Sequence, residues 1–90
     1  MDDQELLYRM EDVARRLGIQ VRYEPSEGKG GLCVLRGRSI IIADEAAGAR
    51  ARWQMLAAAL SEFDLEGIYL PPLVRDAIAT AGARRSDMDA

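Results

Sequence analysis

Apolar and polar positions follow two different periods along this chain, and the changes of period mark its elements. From 3 to 17, Leu6, Leu7, Met10, Val13, Ala14 and Leu17 recur at helical spacing, with Asp2 and Asp3 as capping candidates and Gly18 as terminator. Ile19, Val21 and Tyr23 then alternate with Gln20, Arg22 and Glu24, the period of a strand with one wet face, suited to a sheet edge. Residues 25–31, PSEGKGG, form a flexible connection. Two apolar runs, Leu32 to Leu35 and Ser39 to Ala43, flank Arg36-Gly37-Arg38, which fits a tight hairpin with Gly37 at positive φ. Asp44 or Glu45 is placed to cap a second helix, in which Trp53, Leu56, Ala57, Leu60 and Phe63 share one stripe. After the connector from Asp64 to Tyr69, Pro71 and Pro72 fit the first turn of a third helix carrying Leu73, Ala77, Ile78 and Ala81.

These elements predict an α+β fold: a helix, a three-stranded, mainly antiparallel sheet with a β-hairpin, then two helices, in the order α-β-β-β-α-α. Residues 1–82 make one small domain and 83–90 a frayed, flexible C-terminal tail. With the helices on one face of the sheet, the hairpin poses a problem, because its residues are apolar on both faces. Leu32 and Val34 point to one side and Cys33 and Leu35 to the other, while Ile40, Ile41 and Ile42 give no polar alternate. The expected outer patch holds Cys33, Leu35 and Ile41, with Arg36 and Arg38 at the turn. Burying a few hundred Å² at about 25 cal/mol per Å² favours self-association or a protein partner, unless the third helix or the tail covers the face. A charge at Ile41 is expected to disrupt association, and one at Leu56 to unfold the domain.

Composition narrows the partners. Of 90 residues, 49% are hydrophobic and 30% charged, as in an ordinary globular domain. A net charge of -3 disfavours nucleic acid and anionic membrane surfaces as general partners. No apolar run has the length of a membrane span, and MDDQE is acidic where a secretory signal needs positive charge, so a cytoplasmic location is expected. Cys33 is the lone cysteine and, between Leu32 and Val34 in a strand-like run, reads as a buried, inert thiol; with no histidine in the chain, no imidazole activates it.

Gly30-Gly31, the hairpin ending in Ser39-Ile40-Ile41-Ile42, a short loop, and Arg50, Arg52 and Trp53 opening a helix together resemble the core of ImmA/IrrE-type zinc metallopeptidases, over residues 19–63. In that family the helix carries HExxH, with two histidines one turn apart as zinc ligands and the Glu as general base. Aligning Arg52 and Trp53 with the basic and aromatic residues before the motif puts Ala57 and Ala58 at its first two positions and Ser61 at its last. The resemblance thus implies the family's shell without its metal or its chemistry.

Other motifs fail on spacing. Glu62 to Gly67 imitates the start of a calcium loop, but its twelfth position is Leu73 and Pro71 and Pro72 interrupt it. Gly28-Lys29-Gly30-Gly31 lacks both the spacing of a phosphate loop and the helix after it. Asp64, Glu66, Asp76 and Tyr69 offer acid/base groups that the sequence does not pair. The expectation is a protein without cofactor or catalysis that contacts itself or another protein. The alternative is a regulator binding a small ligand or nucleic acid through Arg36, Arg38 and Arg52, near Arg50.

Overall fold

The computed structural model describes residues 1–27 and 30–89, with side chains as far as residue 84. Its elements run α1 (Asp3–Arg16), β1 (Gln20–Glu24), β2 (Gly31–Leu35), β3 (Arg38–Asp44), α2 (Ala49–Leu60) and α3 (Pro72–Asp89), which is the expected α-β-β-β-α-α order. The connection from 25 to 31 and the glycine-rich stretch include Gly28 and Lys29, which lie outside the described residues.

Local chemistry explains the boundaries of α1. The Asp2 carboxylate accepts from the Glu5 amide at 2.8 Å and caps the helix, with Asp3 and Glu5 in the first turn and Arg15 and Arg16 in the last. At the other end Gly18 takes φ +76°, its amide donates to the Arg15 carbonyl and that of Ile19 to Ala14, closing the helix with paired return bonds.

α2 starts differently from the expectation. Its N-cap is Gly48, without a side-chain bond, and Asp44 instead accepts from the Ala46 amide at 3.0 Å, shaping the turn before the helix. In α3 the core anchors are Val74 and Ile78, one turn apart, while the expected Leu73 is 57% exposed. Pro72 opens α3, and the Pro71 carbonyl accepts from Val74 and Arg75. The helix continues to Asp89, past residue 83 where a tail was expected; Ala90 and the side chains from Arg85 onward lie outside the described residues.

The sheet order is β1-β3-β2, with β3 in the middle. β2 pairs antiparallel with β3, as a hairpin must, but β1 runs parallel to β3, so the sheet is mixed instead of mainly antiparallel. α1 packs on β1, α2 on β2 and β3, and α3 on the other two helices without touching a strand. Met10, Ile41, Leu56, Leu60 and Val74 are the largest fully buried side chains, each worth roughly 1.5–3 kcal/mol of transfer free energy. All three helices therefore lie to one side of the sheet, and α2 and α3 approach so closely that a Cβ on Gly82 would stand 3.0 Å from Cβ of Ser61.

Candidate interaction surface

The hairpin turn decides which side chains face away from the helices. Leu35 pairs with Arg38, leaving only Arg36 and Gly37 in the turn, at φ +52° and +77°. Two successive left-handed residues make the primed two-residue turn that matches strand twist. Cys33 then pairs with Ile40 and Leu32 with Ile41. A three-residue turn would have set Cys33 against Ile41, and a slip of one residue exchanges the faces of a strand.

Ile41 is consequently not on the outer face. It is 0% exposed, in the core with Leu32 and Val21, and no partner can reach it. Cys33 and Leu35 do face outward, and Cys33 is an exposed free thiol, not a buried one. Beside them on β3 lie Ile40 and Ile42; Ile40, between Gln20 and Cys33 in the register, is only 3% exposed, and Ile42 is half-buried. The outer patch is narrower than expected and shifted toward β2.

β2 is an edge strand as well as part of that patch. Four of its five residues are exposed, including Val34 at 67% on the helix side and Leu35 at 53% on the outer side. The opposite edge, β1, carries Arg22 and Glu24, which discourage pairing with another chain. β2, GLCVL, carries no charge, no proline and, in its unbroken register with β3, no bulge. Gly30, just before it, is held where a Cβ would come within 2.4 Å of the Ile42 carbonyl oxygen; Gly31 has open space around it.

The four arginines do not form one cluster. Arg36 and Arg38 are exposed at the hairpin tip, whereas α2 begins beyond the other end of β3, about 20 Å of strand away. There Arg50 Nε donates to Asp3 Oδ2 at 3.2 Å, and Trp53 Nε1 donates to Asp3 Oδ1 at 2.9 Å, tying α2 to the start of α1. Trp53 is thus half-buried against the core, with its indole nitrogen on a carboxylate. Those bonds, Trp53's first, hold the Asp3 carboxyl below the usual carboxylate range.

Arg52 stacks over the Tyr23 ring at 4.5 Å and donates through Nη2 to the Glu45 carbonyl at 2.7 Å. The Tyr23 hydroxyl donates to the Glu11 carboxylate of α1, and burial, reinforced by that bond, raises the phenol well above its ordinary value. Arg52 is therefore already engaged within the chain, far from Arg36 and Arg38.

Between α1, α2 and α3 lies a cleft of about 590 Å³, walled by Leu6, Trp53, Ala58 and Ala77, with Asp76 and Arg84 among its polar residues. Of the three motif positions, Ala57 is fully buried, Ala58 lines this cleft, and the Ser61 hydroxyl donates to the Ala58 carbonyl at 2.6 Å. Asp64 accepts from the Glu66 amide at 2.9 Å in the connector, where Leu70 is buried and Leu65 and Ile68 are half-buried. Tyr69 is 75% exposed, and among the described residues no three of His, Cys, Asp and Glu stand close enough to share a metal ion. No helix of the described residues is long and apolar enough to cross a membrane.

No family model, curated protein or solved structure matches the chain. Sequence reasoning found Cys33 and Leu35 but missed Val34 and the edge position of β2, because strand order is not written in periodicity. It also missed that Tyr23, Arg52 and Glu11, from three different elements, come together. One signal was available for the face of Ile41: a turn of two residues, not three, fixes which isoleucine points outward.

Proposed function

We propose that this chain is a non-catalytic, self-associating module that acts through the β2 side of its sheet, on a scaffold resembling the metallopeptidase shell. The observation that carries this reading is the condition of β2: an uncharged apolar edge strand, with Val34 and Leu35 exposed on opposite faces and the backbone edge unpaired by any other described strand. Such an edge is a template for another strand. A second copy is the partner whose edge is of the same kind, and two-fold symmetry lets one patch serve both sides. The alanines at the first two motif positions, Ala57 and Ala58, support a role in contact instead of turnover.

Sedimentation of the purified chain across micromolar to millimolar concentrations tests the reading. Dimers are expected, and Val34→Lys, at an exposed position, should give a folded monomer. A wild-type chain that stays monomeric throughout overturns the proposal.

A further inference from the structure

The ends of the sheet carry opposite charge. β1 and β3 both finish, and β2 begins, at an end that holds Glu24, Asp44 and Glu45. The Glu45 amide donates to the Glu24 carbonyl there, so these acidic residues belong to one rim. Arg52, at the same end, lies on the helix side over Tyr23. At the far end, β2 finishes and β3 starts around a turn that holds Arg36 and is followed by Arg38, both exposed. β2 thus runs from an acidic rim to a basic tip.

Resting on the self-association just proposed, we infer that two copies pair β2 against β2 in antiparallel fashion about a two-fold axis at Cys33, laying the basic tip of each copy on the acidic rim of the other. A two-fold axis through an antiparallel strand pair sets one residue opposite its own copy. Cys33 is the midpoint of Gly31–Leu35, so centring there pairs the whole strand. Leu32 then faces the partner's Val34, and Gly31 the partner's Leu35. The exposed Val34 of each copy is covered on the helix side, and the outer patches join into one. Arg36 falls opposite the partner's Gly30, one strand spacing, about 4.8 Å, from β2 and about twice that from the end of β3 with its acidic residues. Parallel pairing would set like ends together.

The edge is short. Five residues span about 17 Å, less than a standard interface of about 800 Å² per partner calls for, so the dimer is a micromolar, salt-sensitive one. That is consistent with a domain whose monomer already buries Ile41, Leu56 and Leu60 completely.

Cys33 makes the register measurable. In this pairing the two Cβ atoms stand about 5 Å apart, within reach of a short bis-alkylating reagent whose two halides are displaced by two thiolates. The full chain is treated with that reagent at concentrations spanning the sedimentation midpoint. Covalent dimer is expected to form at least about tenfold faster from Cys33 than from Cys33→Ser/Leu35→Cys, whose thiols lie about 13 Å apart along the paired strands. The heterologous pair Cys33→Ser/Gly31→Cys with Cys33→Ser/Leu35→Cys should crosslink as readily as Cys33 itself, Gly31 having open space for a side chain. Arg36→Glu/Arg38→Glu is expected to weaken dimerisation at least about tenfold at low salt. If that double variant fails to fold by circular dichroism, Arg38→Glu alone gives the same reading in the same direction. Dimers that crosslink equally well through residue 35, or that ignore the charge reversal, overturn this arrangement while leaving self-association intact. A monomer at every concentration removes both.

Discussion

The guanidinium of Arg52 lies over the ring of Tyr23, 4.5 Å from its centroid, while the Tyr23 hydroxyl donates to Glu11. One residue of β1 therefore holds α1 through its oxygen and α2 through its π face, at the end of the sheet where the parallel strands finish.

This joint makes a contribution to stability that depends on pH at the alkaline end. Burial and the Glu11 bond raise the Tyr23 phenol in the folded chain, so the folded state keeps a proton that the unfolded chain releases near pH 10. Its contribution is complete below that pH and is lost as pH rises toward the folded-state value. Denaturant titrations from pH 8 to 11 should show stability falling above about pH 10. In Tyr23→Phe the stability at pH 8 should be lower and this decline absent; an unchanged decline would contradict the assignment.

Asp3 acts at the acid end with the opposite sign. Bonds from Trp53 and Arg50 lower its carboxyl pKa, so its contribution is present above the unfolded value, about 3.9, and fades as pH falls through the folded one. Thermal unfolding followed by Trp53 fluorescence should place Asp3→Asn below the wild type at pH 7, with the two curves converging toward pH 2.

Ile41 and Leu35 separate core from surface. Ile41→Ala should cost about 2–5 kcal/mol, and a charge there should unfold the domain as one at Leu56 would. Leu35→Ala, at a half-exposed edge, should stay within roughly 0.5 kcal/mol. Urea unfolding midpoints of dilute protein distinguish the two.

The element sequence was legible because the helical period gives way to period two at Gly18 and returns after Asp44. What periodicity could not carry was pairing. β1 reads as a strand but does not state its neighbour, and both 32–35 and 39–43 are apolar on each face, so nothing in their pattern anchors the register. The anchor is a backbone conformation at Arg36, a residue type seldom found at positive φ. Asp44 likewise looked like a helix cap because it precedes the helix, yet its oxygen is used two residues on, before the helix begins.

The turn itself can be tested. Arg36→Asn, a residue at home in the left-handed region, should stabilise the hairpin by about 1 kcal/mol, and Gly37→Ala should destabilise it by a similar amount. Equal stabilities for the two variants would argue against a turn with two positive φ angles.

Gly30 and Gly31 look alike in the sequence but not in space. Gly30→Ala drives a methyl into the Ile42 carbonyl and should cost about 1–3 kcal/mol, whereas Gly31→Ala should fall within about 0.5 kcal/mol. Chemical denaturation of the pair checks the contrast.

The strand order also imposes a schedule on folding. β1 has no partner until β3 is made, and α1 has no sheet to rest on before that, so the amino-terminal third of the chain waits on a hairpin encoded after it. The hairpin closes locally within microseconds, but joining β1 requires the chain between residues 24 and 38 to loop back. Substitutions at Gly37 should accordingly slow refolding, while Val21→Ala in β1 should act mainly by speeding unfolding, a division that chevron analysis reads directly.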